Sequence, residues 1–308
     1  MKNISPIKYA RGLSLIELMI AVALGGLVLA AVGGVYLSSS RTFKTQEGMA
    51  RMQEGARFAF EIIGFDLRQV GFGCASISPA AVSATWHENI FTRSMQGYKD
   101  GSGSPAAAVD VANTDAIMVL RADKSREVSI TALGTTSANH GMAVGGKVVI
   151  TDAYANASSY SLAAAAGTGY TLGAATDCTG ANVPNTVGFR MLPLAANVYY
   201  IGNNPAGEPS LYRQALQNDG TVVSEELVEG VEDMVVFYGE DTTQVALPEC
   251  PDDGCTANAY FDADGVTNWN RVVSARITLT MRSANGLASD GGRLRRTFTT
   301  TIAYRNRL

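Results

Sequence analysis

The chain has 308 residues, of which 46% are hydrophobic and 17% charged. That is the balance of a protein able to bury its own core, and not of a disordered or polytopic membrane chain. Its 24 basic and 28 acidic side chains give a formal charge of −4, without the basic surplus of a nucleic-acid binder. Two histidines and four cysteines leave few parts for metal-centred or Cys/His-nucleophile chemistry. No Gly-x-Ser-x-Gly, Walker or dinucleotide glycine pattern follows a strand, so neither an enzyme constellation nor a cofactor is expected.

Residues 1–12 carry Lys2, Lys8 and Arg11 and no acid, and Leu13–Leu37 then runs with a single charge, Glu17. As a helix this stretch is ~37 Å long, enough to cross a ~30 Å hydrocarbon core. The basic residues before it predict a cytoplasmic N-terminus and an exported body. An ordinary secretory leader places a small-residue cleavage site after its apolar stretch, yet here the apolar run continues past Ala21–Ala23. A carboxylate within lipid costs about 2–3 kcal/mol even on lenient scales, so Glu17 needs a partner or a purpose.

The string Arg11-Gly12-Leu13-Ser14-Leu15-Ile16-Glu17-Leu18 resembles the type IV prepilin (class III) signal, with Leu13 in place of the more usual phenylalanine. The resemblance implies that a prepilin peptidase cuts between Gly12 and Leu13 on the cytoplasmic side and that Leu13 is then N-methylated. Physically, the cut removes three basic side chains, taking the formal charge from −4 to −7, and frees an amine at Leu13. In a fibre core built of such helices, Glu17 can pair with that amine on a neighbouring subunit and fix the register. The pairs Gly25-Gly26 and Gly33-Gly34 permit close helix approach or local melting.

From Ser38 to Val70 the helix is expected to continue with a changed face. Met49, Met52, Ala56, Ala59, Ile63, Leu67 and Val70 recur at three- and four-residue spacing, with Arg51, Glu54, Arg57, Glu61 and Arg68 off the stripe. Phe58, Ile62 and Phe65 are expected to widen the apolar side, and Gly48, Gly55 and Gly64 to weaken the helix locally. After position 74 the pattern becomes β: strands are predicted over 116–120, 127–131, 147–151, 197–201, 210–213, 232–238, 272–281 and 293–304. The last two are expected to be paired central strands. The polar, Ala/Gly/Ser-rich stretches 76–113, 152–185 and 239–270 read as long insertions.

Phe58-Ala59-Phe60, Asp66-Leu67-Arg68, Gly71-Phe72-Gly73-Cys74, Gly230-Val231-Glu232-Asp233-Met234, Trp269-Asn270-Arg271-Val272-Val273 and the closing run from Arg296 to Asn306 are similar to the PilW family of minor pilins. That resemblance implies an α+β, type IV pilin-like fold similar to the larger GspJ-like pseudopilins of type II secretion: one long N-terminal spine helix on an antiparallel β-sheet body. The expected organisation is a leader at 1–12, a membrane or fibre-core half-helix at 13–37, an amphipathic half at 38–70 and a periplasmic β-rich domain at 71–308. The implied function is a minor pilin in type IV pilus assembly and initiation. Its expected partners are prepilin peptidase, other minor pilins, the major pilin and the inner membrane, with no nucleic acid, and its final address is the cell surface in the pilus. The competing readings are a type II secretion minor pseudopilin and a pilin-stalked adhesin whose insertions bind a ligand.

Four cysteines in an exported chain point to disulfides. Of three connectivities, the short turn-forming loop favours Cys250 with Cys255, leaving Cys74 with Cys178; zinc lacks paired short spacings and nearby histidines. Asp262-Ala263-Asp264-Gly265 resembles the first half of a calcium loop, but the later acid is missing, so Asp262 and Asp264 make a weak calcium candidate beside the plainer reading of a polar turn. His87 and His140 are expected at the surface, Trp86 and Trp269 as packing anchors. Arg293, Arg295 and Arg296, with Arg305 and Arg307, make a basic C-terminal run, read as a solvated strand edge or as a contact for acidic neighbours.

Overall fold

The computed structural model describes residues 14–72, 85–90, 93–106, 111, 113–152, 157–177, 187–243, 256–286 and 292–304. One α-helix, α1 (Leu15–Arg68), runs unbroken through both predicted halves. Its second half is amphipathic in the expected register: Met52, Ala56, Ala59, Ile63, Leu67 and, just beyond the helix, Val70 are buried, and Met49 and Ile62 pack against them. Phe58 and Phe65 do not widen this face; both stay about half exposed.

Among the described residues fourteen strands follow: β1 (Met95–Tyr98), β2 (Ala116–Ala122), β3 (Val128–Ala132), β4 (Thr135–Thr136), β5 (Lys147–Thr151), β6 (Ala157–Ala166), β7 (Gly169–Asp177), β8 (Arg190–Asn203), β9 (Pro209–Leu216), β10 (Val222–Glu229), β11 (Val231–Glu240), β12 (Ala259–Phe261), β13 (Val272–Gly286) and β14 (Arg293–Ala303). All pairings are antiparallel. One sheet has the order β1-β2-β8-β9-β10 and a second the order β12-β11-β13-β14. Helix α1 lies against both, and the shared core joins Met52, Ile63 and Leu67 to Tyr199 and Leu211 of the first sheet and to Val236, Ile277, Leu279 and Ile302 of the second. The other face of the first sheet buries Met118, Leu120, Leu194, Val198 and Tyr200 in a separate core. Strand β2 is therefore covered on both sides and reads as a continuous apolar run instead of an alternating one. The expectation of two central closing strands holds for β13 alone; β14 is an edge.

The stretch 152–185 differs most from expectation. Residues 157–177 form the hairpin β6–β7, and pairings β8–β3, β3–β4, β4–β7, β7–β6, β6–β5 and β5–β8 close a six-stranded antiparallel barrel. Its interior holds Ile130, Val148, Ile150, Tyr160, Leu162, Tyr170 and Met191. The run of small residues in β6 and β7 hid this, because alanine, serine and glycine carry little strand signal. Strand β8 joins the two parts: Arg190–Pro193 pairs within the barrel and Leu194–Asn203 within the first sheet.

Candidate functional site

Helix α1 begins at Ser14, whose extended backbone (φ −67°, ψ 143°) makes it the N-cap. The Glu17 carboxylate accepts a hydrogen bond from the Ser14 N–H at 3.1 Å, the reach-back half of a capping box, and its charge complements the positive end of the helix. From Leu15 to Leu37 every side chain is exposed, Leu15 at 76% and Leu29 at 74% among them. Nothing lies within 4 Å of a side chain placed at Gly25, Gly26, Gly33 or Gly34. The segment is long and apolar enough to cross a membrane, and no other part of the described residues covers it. Gly12 and Leu13, the expected processing junction, lie outside the described residues.

The second half of α1 is rooted in the body by close packing and by a buried ionic cluster. A β-carbon at Gly55 would come within 3.1 Å of Met281 on β13 and of Val228 on β10. The glycine thus permits the helix to approach the sheets, a role the reading of it as a local weak point missed. Two residues before the helix ends, Asp66 is 2% exposed. It accepts hydrogen bonds from Arg121 Nε (2.8 Å), Asn197 Nδ2 (2.5 Å) and the Tyr199 hydroxyl (2.7 Å). The Arg121 guanidinium, itself buried in β2, also lies 3.7 Å from Asp123 and 4.9 Å above the Phe65 ring. Burial first, and then the Asp66 charge, push the Tyr199 hydroxyl well above its ordinary pKa, so it remains a donor. A buried charge is tolerated when paired and fully hydrogen-bonded, and here three donors from two strands meet one helical acid. The signal was present in the sequence as an aspartate seven residues after Ala59, on the buried side of the stripe.

Two further buried carboxylates hold segments of the body together. Asp115 accepts from the Asp100 N–H (3.0 Å) and from the Val236 N–H of β11 (2.8 Å), and burial raises its pKa. Glu240, fully buried, accepts from the Thr267 N–H and hydroxyl and from the Asn268 N–H, holding the turn that leads into β13. At the end of the body nearer the apolar half-helix, a cleft of about 490 Å³ opens between α1 and the ends of β13 and β14, with Lys44, Glu47, Arg51, Glu208, Arg282 and Arg293 in its walls. Arg282 and Arg293 both clamp Glu208, and Arg295 makes a bidentate pair with Glu232 at 2.6 Å. These contacts, the Arg293 bond foremost, hold the Glu208 carboxyl down at about 2.

The remaining predicted sites fare differently. Cys74, Cys178, Cys250 and Cys255 all lie outside the described residues, as do Arg305 and Arg307. Asp262 is engaged by Lys99 Nζ (2.6 Å) and the Gly265 N–H (2.9 Å) in a tight turn, and Asp264 does not join it in a ligand set: among the described residues no group of three His, Cys, Asp or Glu side chains could hold a metal. His140 is not a surface residue. It is 3% exposed, accepting the Met142 N–H on Nδ1 and therefore donating from Nε2 to the Gly169 carbonyl, both at 3.1 Å, which pins the β6–β7 turn of the barrel. His87 is half-buried, and burial lowers its pKa. Trp269 packs edge-on against Tyr238 and Trp86 against the second core, as anchors should.

Residues 7–33 match the prokaryotic N-terminal methylation motif, and residues 198–293 match the type IV pilus-assembly protein W model, PilW. The two matches, one at each end of the molecule, support a minor pilin similar to the PilW family. The chain is a type IV pilus minor pilin with the α+β fold of that class: a long apolar N-terminal helix on an antiparallel body. No curated protein and no solved structure is detectably similar to it. The PilW match covers the second half of β8, then β9 to β13 and the start of β14. The barrel built from residues 128–193 lies almost wholly outside both matched segments.

Proposed function

We propose that this minor pilin is made as a single-pass inner-membrane prepilin with its N-terminus in the cytoplasm and its body in the periplasm. Prepilin peptidase cuts between Gly12 and Leu13, Leu13 is methylated, and the subunit then enters the pilus with other minor pilins and the major pilin to start fibre growth. The observation that carries this reading is the first half of α1, which is apolar on every side, charged only at Glu17 and bare of contacts with the body among the described residues. A helix hydrophobic all round requires a surrounding of lipid or of other helices. Before assembly the bilayer covers it; afterwards neighbouring helices do. The role is structural and calls for no catalysis.

Glu17 supplies the specificity of that exchange. Among the described residues its carboxylate meets only the Ser14 N–H, so in a helix bundle it can still take the cationic amine of a neighbouring subunit, at low dielectric where a matched pair fixes register. Glu17→Ala is therefore expected to be processed and inserted normally but to abolish pili counted on the cell surface; pili at the usual number would remove the charge from the mechanism. Gly12→Phe is expected to leave the uncut chain in the membrane, read by N-terminal sequencing.

A further inference from the structure

We propose that the free edge of β14 is a strand-addition site for a neighbouring pilin subunit that presents an extended strand carrying carboxylates at one end. The inference rests on the reading of the chain as an assembly subunit and extends it from the helix to the body. It starts from the phase of the ladder. The Tyr304 N–H donates to the Val273 carbonyl at 2.9 Å, which makes that position a hydrogen-bonded pair. In an antiparallel pair bonded and non-bonded positions alternate. With the observed register, Arg276/Thr301, Thr278/Thr299 and Thr280/Thr297 are then non-bonded pairs. The 3.0 Å contact between the Thr278 and Thr299 hydroxyls fits the closer side-chain approach of such a pair. The backbone N–H and C=O groups of Thr297, Thr299 and Thr301 accordingly point away from β13, and no strand pairs with them among the described residues.

Edge strands are normally shielded by being short, bulged, proline-bearing or charged. The opposite edge of this sheet, β12, is three residues long. Strand β14 is eleven residues long, with no proline or glycine, and its last seven residues, Thr-Phe-Thr-Thr-Thr-Ile-Ala, carry no charge. Four β-branched threonines make that segment a ready template.

Two observations specify the occupant. First, β14 runs alongside α1: Arg293 shares the cleft with Lys44, and Ile302 sits against Gly64. An added strand would therefore continue the surface along which the half-helix must meet its neighbours. Second, the start of β14 is basic. Arg293 and Arg295 are paired with Glu208 and Glu232, while Arg296 lies over the Phe298 ring with no carboxylate partner among the described residues. A carboxylate opposite Arg296 would set direction and register, since backbone pairing alone leaves register free.

The test uses the full-length chain in piliated cells. Thr299→Pro removes one outward N–H and leaves the β13 ladder intact, the position at which an edge strand tolerates proline. It is expected to keep its membrane level and melting temperature while surface pili fall at least tenfold. A photoreactive residue at position 301 is expected to crosslink to an extended segment of another pilin subunit, mapped by mass spectrometry. Normal piliation by a folded Thr299→Pro chain would overturn the proposal. So would crosslinks that are absent or go only to lipid or non-pilin protein, and this second readout decides the matter if the proline variant does not fold. Loss of pili in Glu17→Ala with normal pili in Thr299→Pro would refute the edge alone; normal pili in Glu17→Ala would refute the reading beneath it.

Discussion

Asp66 occupies a position where the helical stripe calls for an apolar side chain, and the body supplies Arg121, Asn197 and Tyr199 to receive it. Removing one partner of such a cluster strands a buried charge, so Arg121→Met is expected to destabilise the protein by about 3–5 kcal/mol in urea unfolding. Replacing Asp66 and Arg121 together by apolar residues should cost less than the single change, because no charge is left unpaired. Glu208 sits at the opposite end and shows the ordinary surface case. Its folded pKa of about 2 lies below the ordinary 4.5, held there by Arg293 and Arg282. A lowered carboxylate pKa stabilises the fold above the unfolded value and is lost as pH falls through the folded one. Thermal melting from pH 5 down to pH 2 should therefore fall less steeply in Glu208→Gln than in the parent chain.

Among the elements, the spine helix was legible in the sequence because it obeys one period at a time. Leu13–Leu37 is apolar on all sides and 49–70 is apolar on one, and both signals survive without tertiary information. The core strands β2, β5 and β13 were legible for the same reason, being rich in Val, Ile and Leu. The barrel was not. Strands β6 and β7 are written in alanine, serine, glycine and threonine, which resemble a polar loop until β5 and β8 are seen beside them. Asp66 stood on the buried stripe in the sequence, but its partners were hidden, since they lie 55 or more positions away in the chain. The barrel has its own interior, so Leu162→Ala, expected to cost about 2–5 kcal/mol as a large-to-small core change, should loosen residues 128–177 first. Hydrogen exchange should rise there while α1 and β13 keep their protection; a uniform rise would show that the barrel and the sheets unfold as one unit. The stretch 152–185, read as a long polar insertion, is in large part barrel wall.

At the scale of the whole molecule, the two halves of α1 live in different solvents. Among the described residues the first half shares no core with the body, and nothing approaches its glycines. A chain beginning at Ser38 is therefore expected to keep the melting temperature of the detergent-solubilised parent, by scanning calorimetry, while dissolving in plain buffer. A drop of more than a few degrees would mean that the half-helix supports the fold after all. What the half-helix does provide is attachment, and attachment places the body at the end of a long lever.

That lever is glued along its side. From Gly55 to Asp66 the helix lies lengthwise against the sheets, with Ile302 and Met281 spaced along it. A pull on a growing or retracting filament along the helix axis would load this joint in shear. Peeling would break one contact at a time; sliding requires every side chain of the stripe to leave its socket together and drags the Asp66 carboxylate past apolar walls. The joint should therefore resist axial tension far better than a sideways tug, a mechanical anisotropy that single-molecule stretching from the two directions would measure.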